Sequence, residues 1–379
     1  MRALLLILLF SSACSGPAPG EGPGPESCAD LASEGDSWAP DADGPDGQIH
    51  PRTVLAQQTL WTAWNRPDED GSFSVWIGAH ACDGEVVVAP VRLDGGDGNA
   101  TDPDLAIGED GVFVVWQRDF PQGDFNLSVR WARVGLDGEV LAADEELVFE
   151  GPAGALQGQA WMARVVPAEG GWLVAAVRAD PGGVFHPVVQ GLGSEGEPAG
   201  AVVVVGDPAA EGFEPSLART DAGPLVGWQK SFDGSAGYGL AEVGEAPAEW
   251  SELESVGVGI SVAWDGRTHA LMGRGAGLAY GVFGEVARDV GAGSGFVSGP
   301  DLRMEGGGAF GAWNEGPASR ATVFARSLPD GDLVEVAEGV GGYAASIVPL
   351  GGGLAAVTVA EGTSPGFRLR SRVVDLGGG

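Results

Sequence analysis

The stretch that decides the fold runs from Asp102 to Leu141 and reads DPDLAIGEDGVFVVWQRDFPQGDFNLSVRWARVGLDGEVL. It contains four short apolar segments, which are separated by Gly-Glu-Asp-Gly at 108–111, a polar loop after Arg118 and Asp-Gly at 137–138. Strands of this length, separated by Gly and Asp clusters, are typical of antiparallel hairpins. The stretch therefore predicts one four-stranded antiparallel sheet, which cannot bury both of its faces alone.

Weaker copies of this stretch recur at a spacing of roughly 40 to 56 residues, which is the length of a propeller blade. The second strands of four copies share a tryptophan at one position: Trp64, Trp116, Trp228 and Trp313. First strands are predicted at 50–57, 103–108, 160–167, 214–220, 258–264, 299–305 and 343–350. Four of them begin with a residue followed by proline, which loses no ladder hydrogen bond at a strand start. These pairs are His50-Pro51, Asp102-Pro103, Glu214-Pro215 and Gly299-Pro300.

The seven copies predict an all-β chain that folds as a single β-propeller of seven four-stranded antiparallel blades. The last copy, from Gly342, runs out after three strands. We therefore expect the N-terminal segment Ser37-Trp38-Ala39 to supply the fourth strand and to close the ring, which removes an exposed sheet edge. Six blades, with the weak copy around Ala270 absorbed as an insertion, are the alternative.

The blades carry a VVWQ…DG pattern, as at Val114–Gln117 and Asp137-Gly138, which resembles that of secreted bacterial β-propeller proteins. The resemblance covers roughly residues 38 to 376. It implies an architecture and not an activity, because propellers of this shape include lectins, hydrolases, lyases and scaffolds.

Residues 1–13 have the composition of an export signal, with Arg2, an apolar run at 3–10 and small residues before Cys14. The end of this segment resembles a bacterial lipoprotein signal, which implies acylation of Cys14, although Ser11 stands where leucine is usual. Residues 14–36 are rich in Gly, Pro, Glu and Ser and predict a flexible tether ahead of a propeller at 37–379. We expect a monomer that is either lipid-anchored at the bacterial cell envelope, at its outer membrane, or secreted.

The formal charge of −33 argues against binding to nucleic acid or to an anionic membrane surface. Contact with a membrane is therefore expected only through the N-terminal lipid. An acidic surface that merely keeps an exported protein soluble is the alternative explanation of the charge. Apart from Cys14, the chain holds an even pair of cysteines, and in an oxidising compartment Cys28 and Cys82 predict a disulfide. Two free thiols are the alternative.

Basic residues near the ends of the second strands are the predicted ligand-binding residues: Arg66, Arg118, Arg178, Lys230 and Arg274. They are expected on the face that also carries the connections between blades, where a circle of charges can hold a polar or anionic ligand. Alternatively, each base pairs with a carboxylate of a neighbouring blade and only staples the ring.

Three carboxylates spaced around glycines, Asp41, Asp43 and Asp46, are a candidate calcium site. Oxygen ligands at such spacing suit a hard cation, but the later glutamate of an EF-hand loop is missing. A solvated acidic linker is the alternative interpretation.

Catalytic motifs are missing from the sequence: it has no nucleophile elbow, no phosphate loop, no metal-ligand spacing of histidines and no Asp-box of the sialidase propellers. The leading hypothesis is therefore a non-catalytic module that binds a polymer, a peptide or an envelope protein through the five basic residues. The alternative is a glycan hydrolase or lyase that uses carboxylates of the channel, which the sequence does not single out among 53 acidic residues. A rigid surface spacer is a third hypothesis.

Overall fold

The computed structural model describes residues 27–96, 98–119, 127–149, 160–180, 182–207, 210–231, 237–242, 248–250, 259–274, 277–293, 295–317, 320–340 and 345–377. It begins with one helical turn, α1 (Cys28–Leu31), and a short strand, β1 (Ser37–Trp38). All other elements in this part of the chain are strands, and they form seven four-stranded antiparallel sheets.

The first three blades take their strands in chain order. Blade 1 holds β2 (Ile49–Ala56), β3 (Thr59–Pro67), β4 (Phe73–Ala81) and β5 (Val86–Arg92). Blade 2 holds β6 (Asn99–Gly108), β7 (Gly111–Asp119), β8 (Leu127–Val134) and β9 (Val140–Leu147). Blade 3 holds β10 (Ala160–Ala168), β11 (Gly171–Ala179), β12 (Phe185–Gly193) and β13 (Pro198–Val204).

Blades 4 to 6 follow the same order, and blade 7 is completed from the N-terminus. Blade 4 holds β14 (Phe213–Arg219), β15 (Pro224–Gln229), β16 (Tyr238–Glu242) and β17 (Ala248–Trp250). Blade 5 holds β18 (Ile260–Trp264), β19 (Thr268–Arg274), β20 (Gly277–Val282) and β21 (Arg288–Asp289). Blade 6 holds β22 (Val297–Glu305), β23 (Gly308–Glu315), β24 (Ala321–Leu328) and β25 (Val334–Val340). Blade 7 holds β26 (Ser346–Gly351), β27 (Leu354–Glu361), β28 (Arg368–Asp375) and β1.

The ring closes as the sequence predicted. Ser37 pairs with Arg372 and Trp38 with Ser371, so β1 is the outer strand of blade 7. The first strands of the seven blades contact one another in a closed circle around a central axis. The seven-bladed propeller is therefore confirmed, and the six-bladed alternative is wrong. The predicted disulfide is also present, since Cys28 in α1 is bonded to Cys82 after β4.

The hydrophobic core is distributed between neighbouring blades and is not a single centre. Phe113 of blade 2, for example, stacks on Trp131 of its own blade at 5.1 Å and on Trp172 of blade 3 at 5.0 Å. The four tryptophans that aligned the repeats are buried in such interfaces: Trp64, Trp116, Trp228 and Trp313. Each blade thus covers an apolar face of the next, which explains how so long a chain folds as one ring.

Side-chain hydrogen bonds join the first strand of each blade to the next in five of the seven positions. The donor is always a backbone N–H of the following blade, and the acceptor always occupies the same register position. These pairs are Asp104 with Val165 at 2.9 Å, Ser216 with Val262 at 2.9 Å, Ser261 with Leu302 at 3.0 Å, Asp301 with Ile347 at 2.9 Å and Ser346 with Thr53 at 2.9 Å. We call these bonds the inter-blade staples. Blades 1 and 3 carry Arg52 and Arg164 at the staple position, and arginine has no acceptor.

A β-bulge precedes the staple position in the first strands. The pairing register shifts between Ile49 and Arg52, Thr101 and Asp104, Trp161 and Arg164, Phe213 and Ser216, and Ser298 and Asp301. The first residue of each bulge has a positive φ, and the same residue in blade 5, Gly259, does too: His50 52°, Asp102 51°, Met162 56°, Glu214 46°, Gly259 104° and Gly299 56°. The X-Pro pairs therefore lie in bulges inside the strands and not at their very starts, because a bulge leaves a position where proline loses no ladder bond.

Candidate functional site

The first residues of the bulges lie at one mouth of the central channel. Each first strand begins where the connection from the previous blade ends, so its start lies on the face of the blade-to-blade connections. His50, Asp102 and Glu214 occupy this level in blades 1, 2 and 4, whereas blades 5 and 6 have Gly259 and Gly299 there. One side of the mouth therefore carries ionisable side chains, whereas the two glycines of the other side carry none. At Gly259 a Cβ atom would lie 2.6 Å from Cδ of Pro300, so a close approach of the neighbouring blade also requires glycine there.

Arg164 joins two of these carboxyl groups. Its Nη1 donates to Oδ2 of Asp102 at 3.1 Å, and its Nη2 lies 3.9 Å from Oε2 of Glu214. Nδ1 of His50 approaches the other oxygen of Asp102 at 3.7 Å. Because both carboxyl groups contact one guanidinium, their nearest oxygens lie no more than about 9 Å apart, which is compatible with the carboxyl separations of glycosidases.

The surroundings of the two carboxyl groups shift their pKa values in opposite directions. Burial on its own would raise the pKa of Asp102, but the charge of Arg164 and the hydrogen bond and charge of His50 outweigh it and hold that pKa well below its usual range. Burial raises the pKa of Glu214, the negative charge of Asp102 adds to the effect, and Arg164 opposes it. Asp102 is thus a fixed anion, and Glu214 retains its proton to higher pH than an ordinary glutamate.

Below the mouth lies a cavity of about 90 Å³ on the propeller axis. Its polar lining comes from the staple level and its neighbours: Arg52, Asp104, Arg164, Glu214, Ser216, Ser261, Asp301 and Arg303. The two glycines at the bulge position, Gly259 and Gly299, also line it. This volume holds about three water molecules, so it fits a small polar group and not a whole sugar ring.

The basic residues predicted as the ligand site lie one strand outside the channel, on the second strands. Arg118 is buried and donates to Oδ2 of Asp144 at 2.9 Å, with Oδ2 of Asp94 at 3.8 Å. Arg66 lies 3.7 Å from Oδ2 of Asp41, and its guanidinium carbon is 4.2 Å from the centroid of a Trp76 ring. These two bases therefore contact carboxylates of their own surroundings and do not line the channel cavity.

The other three predicted bases differ in exposure. Arg178 is buried in β11, and burial lowers its pKa, although Asp180 opposes the shift. Lys230 follows β15 and is half-buried. Arg274 ends β19, and its side chain lies outside the described residues. The ligand-binding role of the five bases stays a prediction.

The three carboxylates of the candidate calcium site have different surroundings. Asp41 is buried and accepts a hydrogen bond from Gln48 at 3.1 Å, Asp43 is exposed, and Asp46 accepts from Arg368. Within the described ranges, no three His, Cys, Asp or Glu side chains are arranged to hold a metal ion. Calcium binding at Asp41, Asp43 and Asp46 therefore lacks support from the arrangement of these side chains.

The N-terminal predictions fall largely outside the described residues, which begin at residue 27. This applies to the signal segment 1–13, to Cys14 and to most of the tether. In the part of the chain that the structure covers, no helix is long and apolar enough to cross a bilayer.

A second polar cluster lies in blade 5, near the turn that joins the first two strands and thus at the opposite face. His269 is held from both sides, because Asp265 bonds its Nε2 at 2.8 Å and the Tyr280 hydroxyl bonds its Nδ1 at 2.6 Å. His269 is almost fully buried, and both of its ring nitrogens are occupied. This cluster ties a turn to its blade and leaves no free ring nitrogen for a ligand.

Sequence reasoning missed the channel residues, although a signal for them was present. Three of the four X-Pro pairs carry an ionisable residue before the proline: His50, Asp102 and Glu214. The pairs marked the strand starts correctly, but nothing in the sequence showed that the residue before proline would have a positive φ and lie at the channel mouth. Arg52 lies two residues after His50, and Arg164 lies two residues after Met162, the equivalent bulge residue of blade 3. The partners of Arg164, Asp102 and Glu214, come from other blades.

Comparison with known proteins shows the fold. No protein-family model and no curated protein matches the sequence. Among solved structures, a Trypanosoma rangeli sialidase has a TM-score of 0.52 at 8% identity and covers 93% of this chain. A Penicillium chrysogenum α-L-arabinanase has a TM-score of 0.51 at 15% identity, with 91% of this chain and 98% of that one covered. A polysaccharide lyase has a TM-score of 0.53 at 10% identity, with 88% and 90% covered. The chain spans only 58% of the sialidase, and identities this low establish the β-propeller architecture alone.

Proposed function

We propose that this propeller is a glycan-processing hydrolase whose active site is the channel mouth. The observation that carries the proposal is the pair Asp102 and Glu214, which both contact Arg164. The pKa of Asp102 is lowered and the pKa of Glu214 is raised. Two carboxyl groups with separated pKa values are the equipment that glycoside hydrolysis requires. The solved propellers that resemble the chain include a sialidase, an arabinanase and a polysaccharide lyase, and their titles favour the same class.

In this proposal Glu214 acts as the general acid. Its raised pKa keeps a proton available, and that proton passes to the glycosidic oxygen as the bond to the anomeric carbon breaks. Asp102 supplies fixed negative charge beside the positive charge that develops on the sugar, and Arg164 and His50 hold it in place. Water then adds to the anomeric carbon and passes its proton to the Glu214 carboxylate, which restores the general acid, and the second sugar leaves with a hydroxyl at its anomeric carbon. The substrate approaches on the side of Gly259 and Gly299, where neither bulge residue has a side chain.

The geometry reverses the preference drawn from the sequence, which favoured a non-catalytic module. That preference rested on missing motifs, but a carboxylate pair assembled from different blades has no local motif. Arg118, one of the bases proposed to bind a partner, is buried against Asp144 and Asp94. We therefore prefer the channel mouth to the outer circle of bases as the functional site.

The test is hydrolysis of a panel of plant, microbial and animal polysaccharides, measured as new reducing ends. We expect Glu214→Gln to remove activity on whichever glycan is cleaved. Glu305→Gln is the matched control, because Glu305 is exposed at the end of β22 on the opposite face. A loss of activity of much less than about 100-fold in Glu214→Gln would contradict the proposal, as would the lack of cleavage of any glycan. Products with an unsaturated uronate would instead assign the lyase reaction.

We also propose export and lipid anchoring through Cys14, on the sequence pattern alone. In this arrangement the tether holds the propeller at the envelope, and the Cys28–Cys82 disulfide fixes the end of the tether to blade 1. Mass spectrometry of the mature N-terminus tests it. An unmodified Cys14, or a chain that still begins at Met1, would contradict the proposal.

A further inference from the structure

Arg52 is the one residue at the staple level whose partner is unaccounted for. Five blades use this position to accept a backbone N–H of the next blade, and only Arg52 and Arg164 cannot do so. Arg164 has Asp102 and Glu214 as partners. Arg52 is only 9% exposed and lines the cavity, and its charge acts through space on Asp102 and Glu214. Within the described part of the chain, however, its guanidinium has no side-chain hydrogen bond and no carboxylate within ion-pair distance.

The carboxylates nearest in the cavity lining, Asp104 and Asp301, have other partners. Asp104 accepts the N–H of Val165, and Asp301 accepts the N–H of Ile347 and contacts Arg303 at 3.3 Å. Burying a guanidinium whose N–H groups have no acceptor is costly, because the lost hydration is not replaced and charges at longer range offset only part of it. Arg52 occupies a staple position but cannot accept the N–H of the next blade. Its presence there indicates that a ligand supplies the anion that binds its guanidinium.

The cavity limits what that anion can be. About 90 Å³ accommodates a carboxylate group, but not the sugar ring that carries it, so the ring would lie above, at the mouth. The whole chain has a charge of −33, which repels a densely charged polyanion. A glycan with isolated acidic sugars satisfies both conditions.

We propose that Arg52 recognises the carboxylate of an acidic sugar, and that the glycan acted on at the channel mouth therefore carries isolated uronic-acid-type residues. This inference rests on the proposed function and names its substrate class. The carboxylate enters the cavity between Arg52 and Arg303, and the glycosidic bond of the same sugar faces Glu214. A planar guanidinium binds a carboxylate through two parallel hydrogen bonds, which favours the acidic sugar over its neutral counterpart.

The test measures binding separately from catalysis. The Glu214→Gln chain is titrated by NMR with methyl β-D-glucuronide and methyl β-D-glucoside, which differ only in the carboxylate. We expect the glucuronide to bind about ten- to a hundredfold more tightly, the range for one charge-assisted hydrogen-bonded pair. Adding Arg52→Ser or Arg52→Met should remove that preference. Arg267→Ser, on an exposed arginine of the opposite face, should leave it intact.

Equal binding of the two sugars, no saturable binding of either, or an unchanged preference after substitution of Arg52 would overturn the inference. Arg52→Met keeps most of the side-chain length without the charge and Arg52→Ser restores an acceptor, so we expect at least one variant to fold, which its unfolding transition checks. A preference that depends on Arg52, together with no glycan hydrolysis by the unsubstituted chain, would sustain acidic-sugar recognition and reject the hydrolase. Hydrolysis of neutral glycans only would support the hydrolase and reject acidic-sugar recognition.

Discussion

Arg52→Ser should make the propeller more stable, because it restores the staple that blade 1 lacks. In blades 4, 5 and 7 a serine at this position accepts a backbone N–H of the next blade at 2.9 to 3.0 Å. The corresponding donor for blade 1 is the N–H of Leu105, a buried residue of blade 2. The substitution therefore adds a hydrogen bond at a place where the backbone geometry of three other blades already shows that it fits.

The expected magnitude follows from three contributions. The new hydrogen bond stabilises by about 0.5–1.5 kcal/mol, and removing a buried guanidinium without a partner adds about 1–3 kcal/mol. Loss of the buried arginine stem costs up to about 2 kcal/mol, at about 0.8 kcal/mol per methylene group. The midpoints of the two gains sum to about 3 kcal/mol, which leaves about 1 kcal/mol after the stem is lost. The attraction of Arg52 to Asp102 and Glu214 is lost as well, so the net gain for Arg52→Ser should be at most about 1 kcal/mol.

Urea denaturation followed by fluorescence of the 12 tryptophans measures this change as a shift of the midpoint at a constant m-value. The matched control is Ser261→Ala, which removes the acceptor for the N–H of buried Leu302 and should cost about 1–3 kcal/mol. If Arg52→Ser lowers the midpoint, or if Ser261→Ala leaves it unchanged, the staple interpretation is refuted.

Four further outcomes are expected. Glu214→Gln should lower kcat by at least about 100-fold, the usual contribution of a general acid, and the raised pKa of Glu214 predicts that the alkaline limb of the unsubstituted chain lies above the ordinary glutamate range. Since the folded-state pKa of Asp102 is depressed, its stabilisation is present above about pH 4 and is lost as the pH falls, so Asp102→Asn should be less sensitive to acid in denaturation series. Replacing Cys28 and Cys82 together by serine opens a link of 54 residues and should cost about 4 kcal/mol of unfolding free energy in non-reducing denaturation. Cys14→Ala should move the protein from the detergent phase to the aqueous phase on partitioning, and equal partitioning would exclude the lipid.

The architecture could be predicted because its signals are local. Alternation, Asp-Gly turns and the repeated tryptophans Trp64, Trp116, Trp228 and Trp313 lie within single blades, so the blade count and most strand bounds agree with the structure within a few residues. The closing strand was predictable as well, because the last copy lacks one strand and an open edge is unfavourable. The cysteine pair followed from simple parity.

The site could not be predicted in the same way, because its contacts cross blades. Asp102 and Arg164 are 62 residues apart in sequence, and their contact depends on the closed ring. The outer bases were more conspicuous in the sequence, since each lies at or just beyond the end of a recognisable second strand. Arg118 shows why this was misleading: it ends a strand as expected, yet it is buried against Asp144 and contributes nothing to the channel cavity.

The bulges give an independent reason to place function at the channel mouth. A positive φ strains a residue that has a side chain, typically by 1–2 kcal/mol for residues in the left-handed region. Gly259 and Gly299 show that this propeller uses glycine at the position in two blades, without that strain. His50, Asp102 and Glu214 nevertheless retain side chains there, and each of the three interacts with a charged group from another blade. Met162 of blade 3 carries the same strain, so four blades keep it and two relieve it with glycine. Together with the staples missing at Arg52 and Arg164, these energetically unfavourable features lie around one cavity. Selection for stability alone would remove them, so a ligand that uses these side chains is the simplest physical reason for their presence.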